Sequence, residues 1–300
     1  MSGRAWAELI LLALIWGGSF LSFAVALREV GVFTIVLHRV GWAALFLWGL
    51  VIVTGRPLPL SPSFWVAGLI MGILNNAFPF LLIAWAQTNI ESDLAAILNA
   101  STALFAIPLA ALVFRDERLS AKKVIGVLLG FLGVITAIGA DALRQMDIRS
   151  LAQLAMLGAA LSYAVASMFG RRYLNGADPV VSALAMLTGS TLVLLPVTLS
   201  IDGPPALVLS GPTLASIAYI SLVATAGAYL LYYRVLAMAG AANLSLVTLI
   251  VPPVAVVLGA VYLNESLAWA VFLGFGLLVL GLLTIDGRAL KWLRRVFSID

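Results

Sequence analysis

The sequence predicts an all-α membrane protein whose ten transmembrane helices form two inverted five-helix repeats. Three observations support this fold class. Charged residues make up only 10% of the chain, whereas a soluble domain has about 25%. Apolar runs of about 20 residues, the length of helix that crosses the hydrocarbon core of a bilayer, recur along the sequence. A Glu-x-Leu motif, at Glu117 and again at Glu265, is followed in each half by a glycine-bearing apolar run.

The composition places most of the protein in lipid. Of the 300 residues, 63% are hydrophobic. Backbone groups in lipid must be hydrogen-bonded within their own segment, which requires helices. The absence of cysteine excludes disulfides, thiol catalysis and thiolate metal sites. We interpret the net charge of +4 as a sign of membrane topology and expect neither a nucleic-acid partner nor a cofactor.

Polar residues divide the chain into ten predicted spans, numbered 1 to 10. In the first half, residues 1–145, they cover about 6–27, 33–54, 63–87, 93–114 and 121–140. In the second half, residues 146–300, they cover about 151–170, 179–200, 212–236, 243–262 and 268–286, before a basic C-terminal tail. The first apolar stretch is too long for the core of a signal peptide, so we expect it to be retained.

The distribution of lysine and arginine predicts that both termini are cytoplasmic. In that orientation twelve cations lie on the cytoplasmic side and three on the other, which follows the positive-inside rule. The twelve are Arg4, Arg56, Arg115, Arg118, Lys122, Lys123, Arg171, Arg172, Arg288, Lys291, Arg294 and Arg295, and the three are Arg28, Arg144 and Arg149.

Matching motifs indicate an internal duplication. The two Glu-x-Leu motifs are 148 residues apart, and several residue pairs share nearly the same offset: Gly126 with Gly274, Gly133 with Gly281, and Trp16 with Tyr163. Because each half contains five spans, the second copy begins on the other side of the membrane and is inverted. Each glutamate precedes the next span, where a carboxylate favours the positive end of the helix dipole. Glu117 and Glu265 are therefore predicted to lie on opposite sides of the membrane, outside any shared site.

Inverted repeats are the architecture of many secondary transporters, which bind substrate near the midplane between the repeats. The segments "LIWGGSF" and "LHRVGWAALFL", with the paired Glu-x-Leu motifs, resemble the drug/metabolite transporter superfamily in its ten-span branch of bacterial metabolite exporters. The resemblance covers nearly the whole chain and is greatest to exporters of amino acids, including aromatic ones. It implies a multi-pass protein of the bacterial inner membrane that exports amino acids or similar small metabolites by alternating access.

Weakened helices at matching positions of the two halves indicate where the binding site lies. Span 3 contains Pro79 within "NNAFPF", and its equivalent in span 8 is Gly227. Span 4 contains Pro108 and span 9 contains Pro252. Proline frees a backbone carbonyl, which membranes tolerate where it lines a cavity or meets a neighbouring helix. We assign these four residues a gating or structural role; a simple packing kink is the alternative.

Seven polar or aromatic residues are predicted to bind the substrate. Asparagine amides in lipid need hydrogen-bonding partners, and aromatic rings form apolar walls that can stack on a planar substrate or hold a cation. The seven are Trp16, Asn75, Phe78, Asn99, Ser101, Tyr163 and Tyr229.

His38 and Arg39 lie about two turns inside span 2. A charge at such a depth is expensive and indicates function; snorkelling to the interface is the alternative for the arginine. We expect a gating or structural role for both, and a substrate carboxylate as the partner of Arg39 is a hypothesis. No acidic residue falls near the middle of a span, and proton-coupled carriers commonly use such a residue. We therefore predict facilitated transport.

Other functions remain open at this stage. The chain could export drug-like cations or move lipid-linked sugars. A lipid-modifying membrane enzyme would need a nucleophile–base pair or a metal cluster, and one histidine without cysteine or a mid-span acid disfavours it; we expect no catalytic or metal-binding residues. A receptor would leave the repeat unexplained. Glycines in spans 5 and 10 favour close packing within a monomer, with a dimer seam as the alternative.

Overall fold

The computed structural model describes residues 1–90, 92–138, 147, 150–204, 208–263 and 269–286. Within helices it leaves out the side chains at positions 20, 21, 24, 92–94, 96, 138 and 258–263. Glu265 and Leu267, Arg144, Arg149 and the cations of the C-terminal tail lie outside the described residues, so the predictions made for them stay predictions. Every regular element of the described part is a helix, which confirms the all-α fold class.

The helices group into the ten predicted spans. Spans 1, 2, 3 and 5 are Gly3–Ala26, Val32–Thr54, Pro62–Ala86 and Ala121–Ile138, and span 4 consists of Ser92–Ala100 and Thr102–Val113. Spans 6, 7, 8 and 10 are Leu151–Tyr173, Pro179–Ile201, Gly211–Ala239 and Trp269–Asp286, and span 9 consists of Ala241–Leu244 and Val247–Leu263. Spans 2, 3, 6, 7, 8 and 10 are each long and apolar enough to cross a membrane by themselves.

Local sequence sets several helix ends. The Asp178 carboxylate caps span 7 by accepting from the backbone N–H groups of Val180 and Val181, which would otherwise lack a partner in the first turn. Pro179 follows at a position where a missing N–H costs nothing. Span 2 ends at Gly55, whose φ of 62° is the left-handed conformation that only glycine adopts readily.

Four spans are irregular, and they form two matching pairs. Span 3 contains a π-helical stretch at Ile73–Ala77, and span 8 contains one at Tyr219–Gly227. Span 4 is interrupted between Ala100 and Thr102, and span 9 between Leu244 and Val247. The regular helix is therefore weakened at equivalent places in the two halves, as the inverted repeat predicts.

The prolines are not at the interruptions, contrary to the prediction from sequence. Pro108 and Pro252 lie inside the continuous helices Thr102–Val113 and Val247–Leu263, and Pro79 lies in the first turn after the π-helical stretch of span 3. Each break instead contains a serine. The Ser101 hydroxyl donates to Leu98 O at 2.5 Å and the Ser245 hydroxyl to Ala242 O at 2.8 Å, in each case the carbonyl three residues earlier.

The two halves interlock rather than lie side by side. Spans 2 and 3 pack against span 7, span 1 packs against spans 8 and 9, and spans 3 and 4 pack against span 6. Span 5 packs along span 10. The two halves thus make equivalent contacts. Span 1 packs on the irregular spans 8 and 9 of the second half, and span 6 packs on the irregular spans 3 and 4 of the first half.

Spans 5 and 10 meet backbone to backbone at their glycines. A Cβ atom added at Gly133 would lie 2.6 Å from Gly274 O, and one added at Gly281 would lie 2.4 Å from Gly126 O. No side chain fits at these distances. These glycines therefore serve packing within the chain, the first of the two alternatives considered from sequence.

The bundle has two ends. The basic face is the end with the N-terminus, where Arg4, Arg56, Arg115, Arg118 and Arg171 lie at helix ends. The opposite face carries the connections at 27–31, 87–90, 202–204 and 208–210. There, Asp202 Oδ2 accepts from the backbone N–H and hydroxyl of Thr34, at 2.8 and 2.9 Å, which joins the two halves.

Candidate functional site

A cavity lies between the two halves. Its walls come from spans 1, 2, 3 and 4 of the first half and spans 6, 8 and 9 of the second. Toward the opposite face it extends to Ile83 and Gln87, which are partly exposed, and toward the basic face to Ser167, Leu244 and Ser245, which are buried. The cavity therefore opens toward the opposite face and is closed toward the basic face.

The structure brings most of the predicted binding residues into this cavity. Trp16, Asn75, Asn99, Tyr163 and Tyr229 line it. Their role in substrate binding stays a prediction, because the geometry shows location only.

The other predicted residues lie elsewhere. Phe78 is 47% exposed and outside the cavity lining, because the first turn after the π-helical stretch directs it outward. Ser101 is buried, with its hydroxyl bonded within the helix to Leu98 O. None of the residues assigned a gating or structural role lines the cavity except Arg39; the others are His38, Pro79, Pro108, Gly227 and Pro252.

Three lining aromatics were missed by the sequence reasoning: Phe23, Phe80 and Tyr232. Tyr232 follows Tyr229 by three residues, a spacing that puts both on one helix face, so helical periodicity could have identified it. Phe23 and Phe80 are recognisable only from their contact with Arg39, which depends on the packing of separate spans.

The carbonyls released by each π-helical stretch are bonded by the other half. Trp16 Nε1, from span 1, donates to Ala224 O in span 8 at 3.0 Å. In the equivalent place the Ser162 hydroxyl, from span 6, donates to Leu74 O in span 3 at 2.6 Å. These bonds satisfy backbone groups that lipid could not satisfy, and they fix the walls of the cavity.

Tyr229 and the asparagines of span 3 form a buried scaffold. The Tyr229 hydroxyl donates to Asn76 Oδ1. Asn76 Nδ2 in turn donates to the Ser190 hydroxyl of span 7 at 2.8 Å, and Asn75 Nδ2 contacts Met186 Sδ at 3.6 Å. The network joins spans 3, 7 and 8, so the polar groups of Tyr229 and Asn76 hold the walls of the cavity together.

Arg39 supplies a buried positive charge to the cavity. It is 6% exposed, its Nε donates to Thr225 Oγ1 at 2.8 Å, and its Cζ lies 3.9 Å from the ring centroid of Phe80 and 5.3 Å from that of Phe23. Nη2 is 3.5 Å from Ala224 O. Among the described residues, no carboxylate forms an ion pair with it. A buried cation without a counter-ion is costly, which indicates a functional group.

Three further polar atoms at the cavity are buried and have no hydrogen-bond partner in the described part of the chain: Ser19 Oγ, Asn99 Oδ1 and the Tyr232 hydroxyl. Buried polar groups are nearly always hydrogen-bonded in native proteins. Aromatic rings surround them, with Trp16 at 6.2 Å from Tyr229 and 6.3 Å from Tyr232 between ring centroids. The cavity therefore combines apolar walls with polar groups that a ligand could satisfy.

The basic-face end is closed by a cluster around Glu117. Its carboxylate accepts from Arg171 Nη1 and from the backbone N–H groups of Ala241 and Ala242, at 2.8 and 3.0 Å. Arg171 is one helical turn beyond the lining residue Ser167. The cluster therefore lies next to the cavity, on the side of the basic face. Gly240 permits the close approach, because its φ is 80° and an added Cβ would lie 2.5 Å from Glu117 Oε1.

The sequence prediction for Glu117 was therefore wrong about the helix concerned. The carboxylate interacts with a helix N-terminus, as expected, but that helix is the first segment of span 9 rather than span 5. The loop folds back over the second half, where Arg171 provides a charge and span 9 provides free N–H groups.

His38 belongs to a second, apolar cleft. Its Nδ1 accepts from Trp42 Nε1 at 3.0 Å, and the two rings are stacked. Trp42, Leu45 and Phe46 on span 2 and Leu214 and Leu222 on span 8 complete the cleft with their exposed side chains. His38 thus lies outside the central cavity. The described residues contain no group of three or more His, Asp or Glu side chains that could hold a metal ion.

Comparison with known proteins identifies a matching family. The model of the EamA-like transporter family matches the chain twice, over residues 3–139 and 150–285. A protein of Escherichia coli (strain K12) named "Probable amino-acid metabolite efflux pump" is 26% identical over 99% of each chain. The protein of that name from Salmonella typhimurium is also 26% identical, over 91% of each chain. A crystal structure with 17% identity superimposes with a TM-score of 0.79 over 97% of this chain and 99% of the other, which supports the fold.

Proposed function

The chain belongs to the EamA-like transporter family, and from that premise we propose that it exports amino acids, aromatic ones among them, or similar small metabolites by alternating access. The chain is thus a membrane transporter rather than an enzyme. The observation that carries the proposal is the cavity between the inverted halves, where aromatic walls surround the buried guanidinium of Arg39. The relatives named as amino-acid metabolite efflux pumps support the substrate class.

The proposed location is the bacterial inner membrane, with the basic face toward the cytoplasm. Cations collect at that face, in agreement with the positive-inside rule. Because the cavity opens toward the opposite face, we propose that, in this orientation, it represents an outward-open state of the transport cycle. Opening the cytoplasmic route requires the contacts of Glu117 with Arg171, Ala241 and Ala242 to break.

Transport is proposed to be facilitated. Among the described residues, the cavity lining contains no aspartate, glutamate or histidine that could carry a proton with the substrate. A monomer is the proposed functional unit, because the glycines of spans 5 and 10 that could form a dimer seam are used within the chain.

Drug-like cations are the second candidate substrate class, since aromatic walls also bind cations. The charge of Arg39 opposes them, because a buried cation repels a second one in a low-dielectric cavity. Amino acids therefore remain the first candidate.

Reconstituted protein in liposomes tests the proposal. We expect saturable uptake of labelled aromatic and large apolar amino acids down their gradient, with the same initial rate whether or not a pH gradient is imposed. Tyr163→Ala, in the cavity, should reduce the rate strongly, while Phe78→Ala, outside it, serves as the matched control. If no amino acid is taken up, the proposed substrate class is wrong. If uptake depends strictly on a pH gradient, the proposed facilitated transport is wrong.

A further inference from the structure

We propose that the cavity binds its substrate as a zwitterion, with the substrate carboxylate on the guanidinium of Arg39 and the substrate ammonium group on Asn99 Oδ1. The inference rests on the proposed export of amino acids and adds the orientation of the substrate and the two residues that select it. Arg39 comes from span 2 and Asn99 from span 4, and both line the same cavity.

The hydrogen-bonding inventory of Arg39 supports the carboxylate position. A guanidinium has five N–H donors. Nε is bonded to Thr225 and Nη2 is at the limit of bonding distance from Ala224 O. No acceptor of the described residues bonds Nη1. A carboxylate entering the cavity would supply both the missing acceptor and the missing negative charge, and arginine binds carboxylates through two parallel bonds.

Phe80 and Phe23 position the Arg39 guanidinium without neutralising its charge. Their rings face the guanidinium at 3.9 and 5.3 Å from their centroids. A ring stabilises a cation through its quadrupole but does not neutralise the charge. Arg39 is therefore held in place and still carries its full positive charge into the cavity.

The unsatisfied acceptor on Asn99 supports the ammonium position. Asn99 is the penultimate residue of Ser92–Ala100, at the interruption of span 4. Its Oδ1 is buried without a partner in the described residues, and so are the hydroxyls of Ser19 and Tyr232 in the same lining. An ammonium group has three donors and needs acceptors of this kind. Asn99 Oδ1 can provide one without a fixed negative charge.

The remaining lining selects an apolar side chain. Trp16, Phe80 and Tyr163 present rings to the cavity, with Phe80 and Tyr163 at 6.4 Å between centroids. A substrate that lacks either charged group leaves Arg39 or Asn99 without a partner in a largely apolar cavity. Sites that are built to bond a polar group reject analogues without it much more strongly than they reject a different apolar size.

Four compounds with the same phenyl group test the carboxylate position at Arg39 and the ammonium position at Asn99 separately. L-Phenylalanine has both charged groups, 3-phenylpropanoate only the carboxylate, and phenethylamine and phenylalaninamide only the ammonium. The measurement is the competition of each compound against labelled L-phenylalanine for binding to the purified protein and for uptake into proteoliposomes. In the wild type we expect phenylalanine to bind about 10-fold or more tightly than each analogue, the effect of one charge-assisted hydrogen bond.

Paired variants assign each preference to a residue. Arg39→Gln should abolish the preference for phenylalanine over phenylalaninamide and leave the affinity for phenethylamine nearly unchanged. Asn99→Leu should abolish the preference over 3-phenylpropanoate. Thr225→Val removes the main structural bond of Arg39 but not its charge, so it should keep the carboxylate preference. Arg28→Gln, which removes an exposed cation outside the cavity, is the matched charge control.

The outcomes distinguish this inference from the proposed function. Wild-type protein that transports phenylalanine, with Arg39→Gln and Asn99→Leu lowering the affinity for all four compounds equally, would overturn the zwitterion site and leave amino-acid export intact. Thr225→Val behaving like Arg39→Gln would show that Arg39 only joins spans 2 and 8. Wild-type protein that binds none of the compounds would overturn both proposals.

Discussion

The guanidinium of Arg39 on span 2 lies 3.9 Å from the ring centroid of Phe80 on span 3. A buried cation is therefore stabilised by an aromatic face where most proteins would use a carboxylate. A desolvated cation–π contact contributes about 2 kcal/mol, which offsets part of the cost of burial and leaves the charge available to a ligand.

Replacing Phe80 by leucine should weaken substrate binding. The apolar volume stays similar, but the cation–π contact is lost and Arg39 is held less firmly, so we expect affinity to fall by about three- to tenfold, or about 0.7–1.4 kcal/mol. Equilibrium binding of labelled amino acid to the purified protein measures it. Phe78→Leu changes an exposed phenylalanine two residues away and should bind like the wild type; equal losses in the two variants would contradict the role of the ring.

Replacing Glu117 by glutamine should open the basic-face end of the cavity. Arg171 loses its buried charge partner, and hydrogen bonds to charged groups contribute about 1.5–3 kcal/mol. Because the chain has no cysteine, a single thiol introduced by Ser245→Cys reports access from this face through its reaction with a membrane-impermeant maleimide that is added only on the side of the basic face. We expect about 10-fold faster labelling in Glu117→Gln.

Arg56→Gln is the control for that experiment. It breaks the more exposed ion pair of Arg56 with Asp178 on the same face, and exposed pairs contribute about 0–1 kcal/mol. Labelling should then stay near the wild-type rate. Unchanged labelling in Glu117→Gln itself would show that other contacts close the cavity.

Gly133→Ala should destabilise the packing of span 5 on span 10. The added methyl would lie 2.6 Å from Gly274 O, so the helices must separate, at a cost of about 1–3 kcal/mol. Gly276→Ala is the matched control, since nothing lies within 4 Å of the added atom. Thermal unfolding in detergent measures the difference. A loss of oligomers instead of thermal stability would favour the dimer seam.

His38→Gln should keep transport and its response to pH. His38 faces the apolar cleft with Trp42 and is absent from the cavity lining, so it has no place in a proton pathway through the cavity. Initial uptake rates between pH 5.5 and 8 span the range in which histidine titrates. If the uptake rate depends on pH in the wild type but not in His38→Gln, His38 takes part in proton coupling, which would contradict the proposed facilitated transport.

The sequence was informative wherever composition and repetition determine structure. Lipid requires helices, so the number and approximate bounds of the spans follow from apolar runs. The duplicated motifs indicated inversion. The irregular spans are those that the sequence singled out, 3, 4, 8 and 9, but the breaks of spans 4 and 9 do not lie at Pro108 and Pro252. Trp16 and Tyr163, which the offset between the repeats pairs, both line the cavity. Paired positions in inverted repeats face a common interface.

Predictions failed where the fold brings distant segments together. The orientation of Phe78 depends on the π-helical stretch before it, which shifts the angular position of every later side chain in span 3. The contact of Phe80 with Arg39 and that of Glu117 with span 9 join residues that are far apart in sequence. Local periodicity contains no information on such pairs.

The cross-bonded π-helical stretches have a consequence for biogenesis. Leu74 O, in the first half, is bonded by Ser162, and Ala224 O, in the second half, by Trp16. A nascent chain that has inserted only its first five spans leaves Leu74 O without its partner until Ser162 enters the bilayer. Each repeat thus completes the other's hydrogen bonding, so we expect neither half to reach its full stability before the other has inserted.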